Sequence, residues 1–325
     1  MSVQTPEDLL APITTELREF ERRLERTVSD DAGPMADAMH HIVRAGGKRL
    51  RPALVILSAS LGTPDLDRVY NLAMALEFIH TATLIHDDVI DEAPTRRGIP
   101  TIHAVLGQNP AIIVGDYYFA KGANLMAAIE TPQIDGIVSR TVMTICMGEL
   151  LQLTSKRAID QTTDEYYEKI ERKTAALLAA CCYTGGIVAR LSEAHSEALQ
   201  RYGFNLGMAF QIADDVLDYV ATEAQLGKPV GADLRQGTIT LPLMYALQDA
   251  AIGPRLRPLL ERAPMRDRDY DDVVALVRES PAIVMSEQDA QRFADRARAE
   301  LDVFPPSVVR STLESICDYV VERRL

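Results

Sequence analysis

Basic residues are in short supply in this 325-residue sequence: 34 Lys and Arg stand against 47 Asp and Glu, a formal net charge of −13. That deficit excludes a nucleic-acid partner, whose affinity would rest on clustered Lys and Arg. A phosphate-bearing small molecule stays open, provided a local basic pocket or bridging cations receive it. Cysteine is scarce as well. Cys146, Cys181, Cys182 and Cys317 are the four present, and none forms a Cys-x-x-Cys pair with zinc spacing. They read as reduced core thiols of a cytosolic protein. No apolar signal core follows the N-terminus. The longest stretch without Asp, Glu, Lys, Arg or His, 174–189, is shorter than the roughly 20 residues a spanning helix needs, and Gly185-Gly186 interrupts it. The expectation is a cytoplasmic protein without a transmembrane segment. Gly/Ser linkers, long runs of one charge sign and internal repeats are also missing. Length alone suggests about two domains, but without a linker the reading is one domain over 1–325. Apolar residues make up 47% of the chain, enough for one large core.

Alternating, strand-like runs are almost absent, and helical signals fill the chain. Thr5-Pro6-Glu7-Asp8 looks like a cap, a first-turn proline and first-turn acids, opening a helix that runs to about Val28. A second helix reaches Ala45 before Gly46-Gly47, and a third covers 49–61. Pro64 opens a long apolar segment ending at Asp91. Ala93 to Pro100 reads as a loop. Further helices are expected at 110–129, 132–155, 163–183 and 193–220. A Gly-rich loop covers 222–237, and shorter helices punctuated by prolines complete the chain. The fold class is all-α, a bundle of ten or more helices.

Two segments share one acidic pattern: Asp87-Asp88-Val89-Ile90-Asp91 and Asp214-Asp215-Val216-Leu217-Asp218. Each ends a long apolar helix. At about 100° per residue, positions i and i+4 lie about 40° apart. Asp87 and Asp91 therefore share a face with Asp88 beside them, and Asp214, Asp218 and Asp215 repeat the arrangement. Like charges this close oppose helix formation, and they sit at the negative end of the helix dipole. A hard divalent cation offsets both costs, because Mg²⁺ takes one or two carboxylates together with substrate phosphate oxygens. One such motif is ordinarily a solvated helix end. Two copies on apolar helices point to carboxylates edging a pocket. Facing clusters with two or three Mg²⁺ (Mn²⁺ as a substitute) suit a diphosphate and its departure as a leaving group. Apolar walls would keep water from the resulting allylic cation.

Cationic residues accompany these motifs. Lys48 and Arg51 stand at a helix start behind two glycines, where backbone N–H groups favour an anion. Arg96 and Arg97 follow the first motif, and guanidinium groups match phosphate. Lys173 lies on the 163–183 helix and Lys228 in the loop after the second motif. His80 lies two turns before Asp87, on roughly the same face. Each alone is ordinarily a surface charge or a satisfied core histidine. Together, in so acidic a chain, they outline two anion sites.

The motifs GGKRLRP (46–52), EFIHTATLIHDDVIDEAPTRRG (77–98), VGDYYFAKG (114–122), KTAALLA (173–179), FQIADDVLDY (210–219) and GKPVGADLRQGTITLP (227–242) resemble, in that order, the trans-type polyprenyl diphosphate synthases. The match is strong over 40–245 and looser elsewhere. The look is that of medium- and long-chain quinone-tail synthases. The resemblance implies an all-α isoprenoid synthase bundle around a central cavity, usually a homodimer. It implies condensation of isopentenyl diphosphate with an allylic prenyl diphosphate, without a side-chain nucleophile. By resemblance, Asp87, Asp88, Asp91, Asp214, Asp215 and Asp218 hold Mg²⁺. Lys48, Arg51, His80 and Arg97 bind isopentenyl diphosphate. Arg96, Lys173, Thr174, Gln211 and Lys228 contact the allylic diphosphate. The catalytic set is then Asp87, Asp88, Asp91, Arg96, Lys173, Asp214, Asp215 and Lys228. Many relatives carry Lys where this chain has Thr238, which removes one cation from the allylic diphosphate contacts that the resemblance implies.

The growing chain should run from the first motif down the preceding helix. Thr83 and Ala82 lie one turn below Asp87, where short-chain members of the family carry aromatic residues as a floor. Ile79, Leu76 and Ala75 lie deeper. Small residues here imply a product of about 20 carbons or more, about 30 to 50 by resemblance. Geranylgeranyl or farnesyl diphosphate synthases are the nearest alternatives. A class I terpene cyclase would not need the second anion site. A non-catalytic partner subunit would tend to lose the acidic motifs, and both are intact.

Overall fold

A computed structural model describes residues 6–29, 33–44, 49–222, 229–262 and 264–322. Helices built on the apolar periodicity occupy nearly all of them: α1 Pro6–Leu9, α2 Thr14–Ser29, α3 Pro34–Arg44, α4 Leu50–Ala59, α5 Leu66–Ile90, α6 Ile102–Leu106, α7 Gln108–Ala127, α8 Pro132–Thr154, α9 Thr163–Ile170, α10 Ala176–Val188, α11 Glu193–Val220, α12 Ala232–Arg235, α13 Leu241–Gln248, α14 Gly253–Leu260, α15 Asp267–Glu279, α16 Ala282–Ala299 and α17 Val308–Glu322. The expected all-α class holds. Among the described residues the one strand pair is a short hairpin, β1 Thr95–Arg96 with β2 Ile99–Pro100.

Several boundaries depart from the sequence reading for local reasons. The first expected helix is broken: a 3-10 turn at Ala11–Ile13 separates α1 from α2. Pro12 lies in that turn, and a proline inside a helix removes a hydrogen bond and clashes with the preceding turn. Gly185-Gly186 does not interrupt α10. A Cβ on Gly185 would stand 2.8 Å from the Val55 carbonyl oxygen, and one on Gly186 would stand 3.0 Å from Ser196 Oγ. These glycines let α4 and α11 approach the helix backbone, so their conformational freedom is not what is used. The expected 163–183 helix extends to Val188 and contains a π-helical turn, Glu171–Ala175. The glycine-rich segment after α11 includes the one-turn helix α12. Three of the four cysteines are buried as expected, whereas Cys146 is exposed on α8. No helix of the described residues is long and apolar enough to cross a membrane.

The chain divides into two compact units: 1–140 with 180–200 and 301–315, and 141–179 with 201–300 and 316–325. In the first, α5 is the central helix and packs most extensively along α7, with α4 and α2 also against it. Asp65 caps its start, accepting from the N–H groups of Asp67 and Arg68. Leu72, Ala73, Ala75, Leu76 and Ala82 are fully buried along it. Gly122 of α7 abuts this helix: an added Cβ would meet the Ala75 carbonyl oxygen and Ile79 Cγ1, each at 3.0 Å. In the second unit, Tyr166, Ile212, Tyr219, Leu243, Val273 and Val277 anchor an aliphatic core. Gly207 of α11 lies so close to the π-helical turn that a Cβ there would stand 2.5 Å from Ala175 Cα, and Gly148 of α8 would meet the Lys173 amide nitrogen at 2.9 Å.

Candidate active site

The first acidic motif ends α5. Asp88 is 6% exposed, and Asp87 and Asp91 are half-buried. The Asp91 N–H still donates to the Asp87 carbonyl at 2.8 Å, closing the last turn and keeping the i, i+4 pair in helical register. The chain then reverses. Glu92 takes a left-handed φ of 50°, and the hairpin β1–β2 pairs Thr95 with Pro100 and Arg96 with Ile99. Its two-residue turn, Arg97-Gly98, has φ values of 53° and 75°. Positive φ at both positions is the type I′ turn that matches strand twist. Asn or Asp is the usual first residue, and holding Arg there costs roughly 1–2 kcal/mol. The hairpin places Arg96 against Asp88, with Nε donating to Oδ1 at 2.8 Å. It also fixes Arg97 on the wall of a pocket. His41 Nε2 of α3 donates to the Pro100 carbonyl at 2.7 Å and ties α3 to the hairpin.

That pocket is lined by Asp88, Arg96, Arg97 and His80 on its polar side and by residues such as Leu84 and Tyr118 on its apolar side. The electrostatics are those of a cationic cleft. Burial holds the His80 imidazole well below its ordinary pKa of 6.5, and Arg51, Arg97 and Arg96 push it the same way. His80 is therefore neutral beside three guanidinium groups. Arg51 is also desolvated, which lowers its pKa; Glu77 opposes that shift and Arg97 adds to it. Its Nε is buried without a hydrogen-bond partner among the described residues. Such a donor is costly to leave unmade, and a phosphate oxygen is the acceptor that satisfies it. Arg51, His80 and Arg97 are thus gathered as the sequence suggested. Lys48 lies outside the described residues.

Arg49, which the sequence reading passed over, also lines this pocket. Its φ is 48°, left-handed like Arg97. Its guanidinium bonds Glu21 at 2.5 Å and 3.2 Å and Glu77 at 3.0 Å. Those pairs neutralise Arg49, so of the two arginines in the 49–52 segment the one left for an anion is Arg51. Only the backbone conformation and the distant acids Glu21 and Glu77 separate these two roles, and neither is visible as a local motif.

In the second unit the π-helical turn carries Lys173 and Thr174. A π-turn inserts an extra residue into the helix and rotates the residues after it, a device common at functional sites. Lys173 Nζ pairs with Glu149 of α8 at 2.5 Å. Thr174 Oγ1 donates to Gln211 Oε1 at 2.7 Å, and Gln211 Nε2 donates to Asp215 Oδ1 at 2.8 Å. Tyr166 OH donates to Asp215 Oδ2 at 2.7 Å. Three residues assigned to one substrate or its metal therefore form one connected network. The second motif is not presented as a single face. Asp214 is exposed, whereas Asp215 and Asp218 are 3% and 1% exposed. Asp218 Oδ2 accepts the Asp233 N–H at 3.1 Å, which ties α12 to the end of α11. Lys228 lies outside the described residues. Thr238 N–H donates to the Asp233 carbonyl at 2.8 Å, so this position serves the same loop.

The chain-length residues divide. Ala75, Leu76 and Ala82 are fully buried and Ile79 is 3% exposed. Ala75 and Ile79 are the pair that Gly122 abuts. α7 therefore packs against that stretch of α5. Thr83 keeps part of its surface exposed, its hydroxyl turned back to the His80 carbonyl at 2.7 Å.

The donor set fits a divalent cation. Burial raises the Asp88 carboxyl even though Arg96 opposes it. Burial likewise pushes Asp215 well up, with Asp233 and Asp214 adding to the shift while Tyr166 and Gln211 oppose it. Carboxylates whose charge is disfavoured by burial are hard oxygen donors that a cation would stabilise. Among the described residues no three carboxylate, imidazole or thiol groups converge tightly enough to hold an ion by themselves. An ion that takes one or two carboxylates plus phosphate oxygens matches that arrangement.

Comparison with known proteins places these features in a family. A model described as "Polyprenyl synthetase" matches residues 33–277. The heptaprenyl diphosphate synthase component 2 of Geobacillus stearothermophilus is 40% identical over 318 residues, 96% of this chain and 97% of that one. A polyprenyl synthase from Caulobacter crescentus, crystallised with calcium and isoprenyl diphosphate, superposes with a TM-score of 0.94 at 36% identity, covering all of both chains. The heptaprenyl diphosphate synthase of Staphylococcus aureus superposes with a TM-score of 0.91 at 33% identity, covering 96% of this chain and 98% of that one. A cationic pocket beside one carboxylate motif, a second motif wired to a lysine-bearing π-turn, and these matches lead to one conclusion: the chain belongs to the polyprenyl synthetase family, a family of prenyltransferases.

Proposed function

We propose that this enzyme joins isopentenyl diphosphate to an allylic prenyl diphosphate and repeats the step to a trans-polyprenyl diphosphate of 30–50 carbons. The allylic C1–O bond breaks to release pyrophosphate. C1 bonds to C4 of the isopentenyl unit, and the proton lost from C2 goes to pyrophosphate. The observation that carries this reading is the desolvated cluster of Arg51, His80 and Arg97 beside Asp88. It suits the diphosphate of isopentenyl diphosphate. In the second unit, Lys173, Thr174 and Gln211 suit the allylic diphosphate. Asp87, Asp88 and Asp91, with Asp214, Asp215 and Asp218, would hold Mg²⁺, which when bound neutralises the leaving pyrophosphate. The protein's own contribution is to orient both diphosphates and keep water from the cation. Arg96, held by Asp88, and Lys228 complete the allylic set. We assign all of this to one catalytic domain spanning 1–325.

Assembly has two readings. The family resemblance favours a homodimer. The G. stearothermophilus relative is named as a component, which favours a partner chain instead. Met143, Met147 and Leu150 form an apolar stripe on α8, exposed by 67%, 48% and 54%, a surface suited to either assembly. Retention of both carboxylate motifs supports turnover by this chain alone.

Incorporation of radiolabelled isopentenyl diphosphate into extractable polyprenyl product tests the reaction. Asp87→Ala and Asp214→Ala should each lower turnover at least about 10²-fold, since each removes a ligand of the Mg²⁺ that would neutralise the departing diphosphate. Asp214 is exposed, so its loss should leave the thermal midpoint nearly unchanged; undiminished turnover in either variant contradicts the assignment.

The length of the product rests on Thr83. Thr83→Phe should shorten the product while incorporation continues. An active variant whose product is unchanged by chromatography removes the basis for a chain passing this residue.

His80 gives a pH readout. Its folded pKa is depressed, so as pH falls through 6.5 the unfolded chain takes up a proton that the folded protein refuses, and stability declines in that window. A bound diphosphate counters the surrounding arginines and raises the imidazole pKa. In NMR titrations the His80 midpoint should therefore lie below 6.5 and move up when inorganic pyrophosphate is added. An unmoved midpoint means no diphosphate sits beside it.

A further inference from the structure

Lys169 is a buried cation that the proposed reaction does not use. It lies on α9, 4% exposed, three residues after Tyr166 and four before Lys173. Its Nζ donates to Gln161 Oε1 at 2.9 Å. That amide is its one polar partner: among the described residues no carboxylate lies within ion-pairing distance of it. An ammonium group buried with a single neutral hydrogen bond is left undercompensated, and such groups are strongly destabilising unless something balances them. The protein nonetheless keeps Lys169 beside its second carboxylate network. Tyr166, one turn earlier on the same helix, bonds Asp215. The π-turn after α9 carries Lys173 and Thr174, and Thr174 reaches Asp215 through Gln211. Burial draws the Lys169 ammonium toward its neutral form. Asp215 opposes that shift and Lys173 reinforces it, as expected of two cations sharing one region.

Resting on the proposed function, we propose that Lys169 is a further binding cation for the allylic diphosphate, donating to the same pyrophosphate as Lys173 and Thr174. The anion is then the counter-charge that Lys169 otherwise lacks. This accounts for a charge that no structural pairing explains. A purely structural lysine would hold Gln161 and the turn before α9, and its removal would weaken the fold.

The two roles predict opposite results in one experiment. The intact chain, wild type and Lys169→Met, is titrated calorimetrically with inorganic pyrophosphate in excess Mg²⁺, and thermal midpoints are recorded with and without that ligand. A charge-assisted hydrogen bond lost from the site should weaken pyrophosphate in Lys169→Met by at least about tenfold. KM for the allylic substrate should rise in step while KM for isopentenyl diphosphate stays within about twofold. The ligand-free midpoint should hold or rise, because an undercompensated buried charge has gone. Lys169→Arg, which keeps the charge, should retain most of the affinity. Lys169→Gln serves the same comparison if the methionine variant does not fold. Unchanged pyrophosphate affinity with a lowered ligand-free midpoint makes Lys169 a fold anchor and overturns this assignment alone. Failure of the wild type to bind pyrophosphate overturns the functional reading with it.

Discussion

A carboxylate taken out of water must find a partner, give up its charge or destabilise the fold that buries it. This chain accepts that constraint repeatedly at the ends of its two longest helices. Asp88 closes α5 at 6% exposure, and Asp215 and Asp218 lie at 3% and 1% near the end of α11. Neutral donors take up part of the cost: Tyr166 and Gln211 for Asp215, a backbone amide for Asp218. Arg96 takes up part of it for Asp88. What remains is seen in the raised carboxyls of Asp88 and Asp215. Much of the surrounding structure is arranged about that remainder. It includes the hairpin that turns Arg96 onto Asp88, the π-turn that rotates Lys173 and Thr174, and the glycines that let helices close on that turn.

The cationic side of the site obeys the mirror constraint. Arg51 and His80 are desolvated next to other cations, one with an unmet donor and the other forced neutral. Arg49 and Arg97 are held in left-handed conformations that disfavour any side chain. Strain and unmet charge of both signs fit the proposed diphosphate site, where the substrate would bring the anion and its metal the cation. An ordinary stability argument would count each of these features as a defect. Under the proposed function they serve the binding of substrate instead.

The long apolar helices were legible in the sequence because their periodicity spans many turns, and so was the placing of a carboxylate motif at the end of each; the split of the second motif into exposed Asp214 and buried Asp215 and Asp218 was not, because tertiary packing sets it. The cluster of Arg51, His80 and Arg97 was legible as chemistry, and the fold gathers it. What escaped depended on distant neighbours. Gly185-Gly186 reads as a break because nothing local shows that Val55 and Ser196 press against them. The π-turn has no sequence signature of its own. The roles of Arg49 and Arg51 are separated by Glu21 and Glu77, residues far away in sequence. The approach of Gly122 to Ala75 and Ile79 is hidden in the same way, because it lies some 40 residues away along the chain. Lys169 looks like any lysine on an amphipathic helix, since its burial is set by the packing of the second unit.

The central proposal is that the carboxylates of the two motifs bind a metal together with a diphosphate, which would supply the remaining ligands. Calorimetric titration of Mg²⁺ into the protein, alone and with inorganic pyrophosphate present, tests it most directly. Weak binding of the metal alone, with strong and mutually dependent binding of metal and pyrophosphate together, is the predicted result. Tight Mg²⁺ binding without pyrophosphate, or pyrophosphate binding that survives excess chelator unchanged, would contradict it.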